Sequence, residues 1–251
     1  MENMKLRKFD NFKRKGLFIT IEGPEGAGKS TQTAMLAEWL LHMGLNVMTT
    51  REPGAGKVGS EIRKVILDPE NKEMTAEAEA FLYAADRTQH VEKMLKPALD
   101  NGMIVICDRY VDSHIAYQGY GRGLDLDFLK ELNQMATGGL MPDLTILLSL
   151  DAETGLKRVR AREQFAKANQ DDSQNIDRME QEKIDFHHKL CAGYAEIAKA
   201  EPGRVKVVDA SGDINDIKYE IRQIISGLLL VRGLMNDTNI YNQRFDRDTD
   251  F

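Results

Sequence analysis

Residues 17–30 read LFITIEGPEGAGKS, an apolar run that passes directly into a glycine-rich segment. The run Leu17–Glu22 is rich in β-branched and aromatic residues and predicts a buried strand, whereas Lys29–His42 has the apolar spacing of a helix. Between them, Gly23–Ser30 matches the pattern G-x-x-x-x-G-K-[ST], which requires a strand before it and a helix after it. The stretch therefore predicts a phosphate-binding loop.

Each kind of residue in this loop has a physical task. Gly23 and Gly28 let the backbone follow phosphate oxygens closely, and the amides and the helix N-terminus supply positive potential. Lys29 would neutralise β- and γ-phosphate oxygens, and Ser30 would ligate magnesium. A turn that only caps the helix is the alternative, which the strand and helix disfavour. The residues expected to bind ATP are Gly23, Pro24, Glu25, Gly26, Ala27, Gly28, Lys29, Ser30 and Thr31.

Four further apolar runs predict strands, at Val47–Thr50, Met103–Cys107, Leu144–Leu150 and Val205–Val208. Helical segments separate most of these runs, and such alternation indicates a parallel sheet with helices on both faces. The sequence therefore predicts an α/β protein of the P-loop NTPase fold with a central five-stranded parallel sheet. Ligands of such sheets bind at the carboxyl ends of the strands.

The domain organisation follows from length and polarity. A chain of 251 residues fits one domain with mobile insertions. We predict a single P-loop domain over residues 17–235, between a basic N-terminal tail at 1–16 and a polar C-terminal tail at 236–251. Polar residues from Arg162 to Asp177, including the run NQDDSQN, interrupt two helical stretches and predict a flexible flap. This interruption predicts a mobile lid at about 155–178.

Net charge, cysteine count and hydropathy exclude several classes of protein. The formal net charge is −6, and binding to a nucleic-acid backbone normally needs a basic surface, so we expect no nucleic-acid partner. The two cysteines, Cys107 and Cys191, predict reduced thiols rather than a disulfide framework. No apolar run approaches the roughly 18 residues of a membrane span. We therefore expect a cytoplasmic protein without a membrane partner.

Several short strings follow the loop along the chain. The distinctive ones are TREPG at Thr50–Gly54, DRY at Asp108–Tyr110 and YQG at Tyr117–Gly119, and DRME follows at Asp177–Glu180. In this order, they resemble the motifs of bacterial thymidylate kinases from about residue 18 to about residue 210. The resemblance implies a kinase that uses Mg²⁺ and transfers the γ-phosphate of ATP to dTMP. It also implies a homodimer.

By the same resemblance, Arg109 grips the acceptor phosphate and faces the transferred phosphoryl group. Asp108, at the end of a predicted strand, joins Ser30 in holding Mg²⁺, directly or through its water. Glu52 and Arg63 match positions that line the site of the acceptor monophosphate. The plainer alternatives are a capping Asp beside a surface Arg at 108–109 and a solvated helix face at Arg63.

The resemblance also assigns residues to the acceptor base and sugar. Tyr83 and Arg87 lie four residues apart and would share one face of a helix, where the aromatic ring stacks on thymine and the arginine hydrogen-bonds the base edge. Outside this family, such a pair is more often plain core and surface. Ser113, Tyr117 and Gln118 match positions near the base and deoxyribose.

Arginines at the start of the predicted lid are candidates for stabilising the transferred phosphoryl group. Relatives place a basic residue either in the phosphate loop or on the lid, and the variable positions of this loop carry no cation. Arg158, Arg160 and Arg162 lie on a helical stretch, where alternate residues point well apart, so at most two can reach phosphate. An exposed basic helix face is the alternative. The expected catalytic residues are Lys29, Arg109, Arg158 and Arg162.

Two other functions remain open from sequence alone. One is a P-loop mononucleotide or deoxynucleoside kinase with a different base preference. The other is a nucleotide-dependent switch or assembly ATPase, since a phosphate loop does not by itself define the reaction. A GTPase is disfavoured because the string most similar to its Asn-Lys-x-Asp guanine reader, Asn71–Met74, lacks the aspartate.

Overall fold

The computed structural model describes residues 15–169 and 177–235. Within them lies one sheet of five strands, in which every neighbouring pair is parallel and the order is β2-β3-β1-β4-β5. The strands are β1 Leu17–Glu22, β2 Val47–Arg51, β3 Ile104–Asp108, β4 Leu144–Ser149 and β5 Val205–Asp209. The prediction of a parallel five-stranded α/β sheet is confirmed.

Nine α-helices accompany these strands in the described ranges, and two π-helical segments extend them. The helices are α1 Lys29–His42, α2 Gly56–Leu67, α3 Ala76–His90, α4 Lys96–Asp100, α5 Val111–His114, α6 Leu126–Thr137, α7 Ala152–Ala168, α8 Ile184–Ala200 and α9 Ile214–Val231. The π-helical segments are Val91–Leu95, between α3 and α4, and Ile115–Gly121, directly after α5.

The alternation of side chains along β1 explains why both faces of the sheet are covered. Leu17, Ile19 and Ile21 pack with α1 and α9 in one cluster of buried residues. Phe18 points to the other face and packs with the segment from α3 to α4. Since successive side chains of a strand alternate between faces, an apolar run such as LFITIE needs helices on both sides.

The register of the strands sets where the functional residues meet. Asp108 of β3 is level with Ile21 of β1 and with Arg51 of β2. The loop that follows β1 therefore begins beside the last residue of β3, which in turn lies beside the last residue of β2. The carboxyl edge of the sheet brings together Asp108, Arg51 and the predicted phosphate loop.

The helix at the start of the predicted lid is longer than the polarity of the sequence suggested. We expected a flexible flap from Arg162, but α7 continues to Ala168. Apart from Phe165, the residues of Arg162–Ala168 are Arg, Glu, Gln, Lys and Ala, which are polar or small but favour helix, so polarity alone does not end it. The rest of the predicted lid includes residues 170–176, and these lie outside the described residues, as do most of the predicted N-terminal tail and all of the predicted C-terminal tail.

None of the helices described between residues 15 and 235 is both long enough and apolar enough to cross a membrane.

Candidate active site

A cavity of about 810 Å³ opens at the carboxyl edge of the sheet. The phosphate loop forms one side of the cavity, the segments after β2 and β3 form another, and α3 and α7 complete its wall. Among its lining residues are most of the predicted site residues: Glu25, Gly26, Gly28, Lys29, Ser30, Thr31, Glu52, Arg63, Tyr83, Arg87, Asp108, Arg109, Ser113, Tyr117, Gln118, Arg158 and Arg162.

Glycines in the phosphate loop permit a close approach to α7. Gly26 has φ 71°, in the left-handed region, and a Cβ added there would lie 2.2 Å from the Gly155 carbonyl oxygen. A Cβ added at Gly155 would lie 2.4 Å from the Glu25 carbonyl oxygen. Two facing glycines therefore let the loop and the first turn of α7 pack backbone to backbone, which holds the arginines of α7 near the phosphates' expected position.

Lys29 and Ser30 lie where the phosphate-loop pattern predicts. The Lys29 ammonium donates to the Pro24 carbonyl oxygen at 2.7 Å across the loop. Burial, with a further contribution from the charge of Arg109, lowers the pKa of Lys29 to about 8. The Ser30 hydroxyl donates to Asp108 Oδ2 at 2.7 Å. A hydroxyl and a carboxylate oxygen are hard donors of the kind Mg²⁺ prefers, so this pair fits the ion predicted from sequence.

Arg109 lies between the loop and the rest of the cavity. Its guanidinium donates to the Gly23 carbonyl oxygen at 3.0 Å and to Glu25 Oε1 at 2.8 Å, and it lies 4.8 Å from the centroid of the Tyr117 ring. Although burial opposes ionisation, the Glu25 carboxylate raises the pKa of Arg109 well above its usual value. The Arg109 and Lys29 cations outweigh the burial of Glu25 and lower its pKa to about 2. Both partners of the pair are therefore charged.

The wall that faces the loop is built from buried ion pairs. Arg87 is 1% exposed, and its Nε donates to Glu52 Oε2 at 2.8 Å. Its Nη1 donates to Asn133 Oδ1 at 2.8 Å and lies 3.1 Å from His114 Nδ1. Glu52 Oε1 is paired in turn with His90 Nδ1 at 2.8 Å. We call Glu52, Arg87, His90, His114 and Asn133 the acceptor-wall network.

Tyr83 and Arg87 share a helix but have different contacts at the cavity. Tyr83 lies in the cavity wall beside the His114 ring, with 6.1 Å between the ring centroids. Arg87 also lines the cavity, but several of its hydrogen bonds go to protein partners. A contact between Arg87 and a base edge stays a prediction.

The predicted sugar and base residues also have protein partners. Gln118 Nε2 donates to Glu79 Oε1 at 2.7 Å, and the Tyr117 hydroxyl donates to Glu25 Oε1 at 2.5 Å. The Ser113 hydroxyl contacts Glu22. Protein hydrogen bonds thus orient each of these side chains at the cavity.

Arginines of α7 line the cavity at a spacing of four residues. Arg158 donates to the Ala210 carbonyl oxygen at 2.8 Å, and Arg162 donates to both carboxylate oxygens of Glu180, at 2.8 and 2.9 Å. Arg160 is exposed and lies outside the cavity lining. Arg158 and Arg162 thus line the cavity, and the expectation that at most two of the three arginines reach phosphate stays a prediction.

Three residues predicted to bind ATP do not line the cavity. The Gly23 and Pro24 carbonyl oxygens accept from Arg109 and Lys29, and the methyl group of Ala27 packs in the core with α1 and α9. Conversely, sequence reasoning gave no role to the lining residues Arg51, His114, Asp177, Met179 and Glu180.

The strings that predicted the family also contained most of these missed residues. Arg51 lies inside TREPG, and Asp177, Met179 and Glu180 lie inside DRME. Burial, with the charges of Glu25 and Glu180, raises the pKa of Asp177 to about 6. A carboxyl group so perturbed in a cleft is a candidate functional residue, but only the fold shows that Asp177 is near Glu25.

A parallel sheet with a phosphate loop after its central strand, and with lysine and arginines around one cavity, defines the class of the protein as an α/β P-loop kinase fold. A family model described as thymidylate kinase matches residues 21–221. Over 218 residues, the chain is 44% identical to a thymidylate kinase of Syntrophotalea carbinolica, covering 87% of this chain and 99% of that relative. Over 216 residues, it is 47% identical to a thymidylate kinase of Halothermothrix orenii, covering 86% of this chain and 99% of that relative.

A solved structure of a thymidylate kinase is also similar to this chain. The crystal structure of thymidylate kinase from Ehrlichia chaffeensis is similar with a TM-score of 0.66 and 30% identity, covering 84% of this chain and 98% of that one. The chain belongs to the thymidylate kinase family, and the resemblance seen in its motifs is confirmed.

Proposed function

We propose that the protein transfers the γ-phosphate of ATP to dTMP, giving dTDP and ADP for the supply of DNA precursors. The observation that carries this proposal is the position of Arg109. Its guanidinium contacts the phosphate loop at Gly23 and Glu25, and it opens on the same cavity as the acceptor wall. A cation there can contact both the transferred phosphoryl group and the acceptor phosphate.

The chemistry needs positioning rather than a general base. The second pKa of a phosphate monoester is about 6, so the acceptor is a dianion at neutral pH and can attack without losing a proton. The obstacle is repulsion between two polyanions and the charge on the moving phosphoryl group. Holding both nucleotides in line beside fixed cations removes this obstacle.

The cations of the cavity are distributed to suit this task. Lys29 and the loop amides face the donor phosphates. Arg109 lies between the donor phosphates and the acceptor phosphate, and Arg158 and Arg162 approach from α7. Ser30 and Asp108, which are hydrogen-bonded to each other, would hold the Mg²⁺ that accompanies ATP and neutralises charge on its phosphates. Closure of the lid over this group would exclude water and so suppress hydrolysis of ATP.

The other end of the cavity suits a pyrimidine nucleotide. Tyr83 offers a ring face for stacking, Glu52 and Arg63 lie toward the acceptor phosphate, and Ser113, Tyr117 and Gln118 surround the sugar and base. Tyr117, whose hydroxyl is held by Glu25, would crowd a ribose 2′-hydroxyl and so favour a deoxynucleotide.

One assay tests the proposal. The purified protein is incubated with ATP and Mg²⁺, and ADP release is measured with dTMP, dUMP, CMP, GMP or thymidine as acceptor. We expect release that depends on dTMP, with dTDP as the product. A preference for another acceptor would instead support a different P-loop mononucleotide or nucleoside kinase, and slow hydrolysis without any acceptor would support a switch or assembly ATPase.

The domain boundaries, oligomeric state and location belong to the same proposal. We propose a single kinase domain over residues 17–235 with a lid at about 155–178, acting as a cytoplasmic homodimer without nucleic-acid or membrane partners. The solution mass of the purified protein, measured by light scattering at working concentration, tests the dimer.

A further inference from the structure

Arg109 has an unusual backbone conformation. Its φ is 70°, and it is the one residue other than glycine with positive φ between residues 15 and 235 apart from the undescribed 170–176. The left-handed region is disfavoured for a residue with a Cβ, and it persists only where surrounding contacts hold it. The contacts that hold it come from Ile21 and Glu22 at the end of β1.

The last residues of β1 hold the backbone on both sides of Arg109. The Arg109 amide donates to the Ile21 carbonyl oxygen at 3.0 Å. The next amide, that of Tyr110, donates to Glu22 Oε1 at 2.7 Å, and the Ser113 amide donates to the same oxygen at 3.3 Å. Glu22, which is fully buried, therefore fixes the turn that begins at Arg109.

A tyrosine from a distant helix completes the arrangement. The Tyr194 hydroxyl of α8 donates to Glu22 Oε2 at 3.0 Å and lies 2.9 Å from the Ser113 hydroxyl. It also accepts from Arg109 Nη1 at 3.4 Å. The Tyr194 ring packs edge to face on Tyr117, the ring over which the Arg109 guanidinium lies. Tyr194 thus contacts the backbone support, the guanidinium and the ring platform of the same arginine.

The approach of α8 to this site depends on a glycine. A Cβ added at Gly193, the residue before Tyr194, would lie 2.6 Å from Cγ of the Tyr120 side chain. Without a Cβ at position 193, α8 can pack directly on the π-helical segment Ile115–Gly121, which carries Tyr117.

We propose that Glu22 and Tyr194 are positioning residues that hold the backbone and the guanidinium of Arg109 in the geometry required for phosphoryl transfer. This inference rests on the proposed function, in which Arg109 contacts the reacting phosphates. Neither residue lines the cavity, so neither is a catalytic residue in the sense of touching substrate.

The electrostatics of Glu22 support this assignment. Burial, together with the nearby Asp112 carboxylate, raises the pKa of Glu22 to about 7. Strongly perturbed carboxyl groups cluster at functional sites, and this one accepts hydrogen bonds from the turn that carries Arg109.

The first experiment uses Tyr194→Phe, which removes the hydroxyl and keeps the ring. We expect kcat for dTMP phosphorylation to fall roughly ten- to hundredfold, because small displacements of a catalytic group have effects of this size, while the KM for ATP changes little. The matched control is Thr20→Val, which removes a buried hydroxyl bonded to Thr145 Oγ1 at 2.7 Å, on the same strand as Glu22 but away from Arg109. The control is expected to keep its kcat.

A second measurement separates positioning from a general effect on folding. If Tyr194 acts through Arg109, Tyr194→Phe lowers kcat in the wild-type background but causes no further loss in Arg109→Ala. Equal fold losses in both backgrounds, or an unchanged kcat in an active Tyr194→Phe protein, would overturn the inference.

Variants of Glu22 supply an independent readout. Glu22→Gln keeps an oxygen for the Tyr110 and Ser113 amides, so it is expected to retain far more turnover than Glu22→Ala at a similar KM for ATP. Equal turnover in the two folded variants would also overturn the inference. If the wild-type protein makes no dTDP at all, the proposed function fails, and this inference fails with it.

Discussion

The two ends of the cavity are built in different ways. The donor end is one continuous segment, Gly23–Thr31, whose proposed contacts to phosphate come largely from backbone amides and one lysine. The acceptor end is assembled from α3, α5, α6 and the residues after β2, and its side chains are held by the acceptor-wall network. A backbone site can be read from a short string, whereas a side-chain site depends on partners far away in sequence.

The two ends of the cavity also differ in what holds their groups in place. Backbone amides in a loop are fixed by the path of the chain, and glycines such as Gly26 provide that path. A buried charge such as Arg87 must be paired or its burial is costly, so each residue of the acceptor-wall network constrains the others. We therefore expect substitutions at the acceptor end to affect folding and acceptor binding together, and those facing the donor to affect chemistry more selectively.

The largest expected effect is at the point where the two ends meet. Arg109→Ala should reduce phosphoryl transfer by about three orders of magnitude or more, as loss of a phosphoryl-clamping arginine can, while ATP binding stays largely intact. Single-turnover kinetics and ATP titration calorimetry measure the two quantities. Turnover near that of the wild type would remove Arg109 from the reaction.

The next largest effect tests the acceptor-wall network. Arg87→Ala leaves the buried Glu52 without the Arg87 guanidinium at its Oε2 atom, so we expect a loss of about 3–5 kcal/mol in the free energy of unfolding. The KM for the acceptor should rise more than the KM for ATP. Lys64→Ala, which breaks the exposed pair with Glu61 on α2, is the matched control and should cost less than about 1 kcal/mol. Denaturant unfolding measures the loss of unfolding free energy in both variants. Equal losses would contradict the distinction between the donor and acceptor ends of the cavity.

A smaller effect concerns pH. Burial, with the charge of Arg87, lowers the pKa of His114 from 6.5 to about 3. The unfolded chain therefore takes up a proton at this residue below pH 6.5 while the folded protein does not, so stability falls as the pH drops from 6.5 toward 3. From the 1.36 kcal/mol that accompanies each pKa unit, this contribution is about 2 kcal/mol at pH 5.

The variant His114→Asn isolates this contribution from other titrating groups. The loss of unfolding free energy between pH 7 and pH 5, measured by denaturant titration, should be smaller in the variant than in the wild type. An identical pH dependence of stability in both proteins would show that His114 is not kept neutral by the fold.

The smallest effect expected is at the arginines of α7. Arg162 lines the cavity but is partly exposed and already paired with Glu180, so Arg162→Ala should lower kcat by only about tenfold. Arg160→Ala, on the exposed side of the same helix, is the control and should leave kcat unchanged. Steady-state kinetics with both substrates saturating measures kcat for the two variants. Equal losses of kcat would favour a general charge contribution of the helix.

The sequence alone was sufficient to predict features that are formed by residues adjacent in the chain. The string GPEGAGKS between a strand and a helix predicted the donor end, and the apolar runs predicted the parallel sheet that the structure shows. At Arg162, by contrast, polarity suggested a flexible flap, but helix-favouring residues carry α7 to Ala168. Local propensity, rather than polarity, decided that boundary.

What the tertiary structure decided is which side chains hold one another. Glu22 and Tyr194 are separated by 172 positions along the chain and meet only because α8 packs against the segment that follows β3. The pairing of Arg87 with Glu52 and Asn133 likewise depends on three elements that no short string contains. Sequence determined the residues that we propose bind phosphate through local backbone geometry, since neighbours in the chain form that site. Only the packed fold determined the buried partners, because burial and charge pairing act between residues that are distant in the chain.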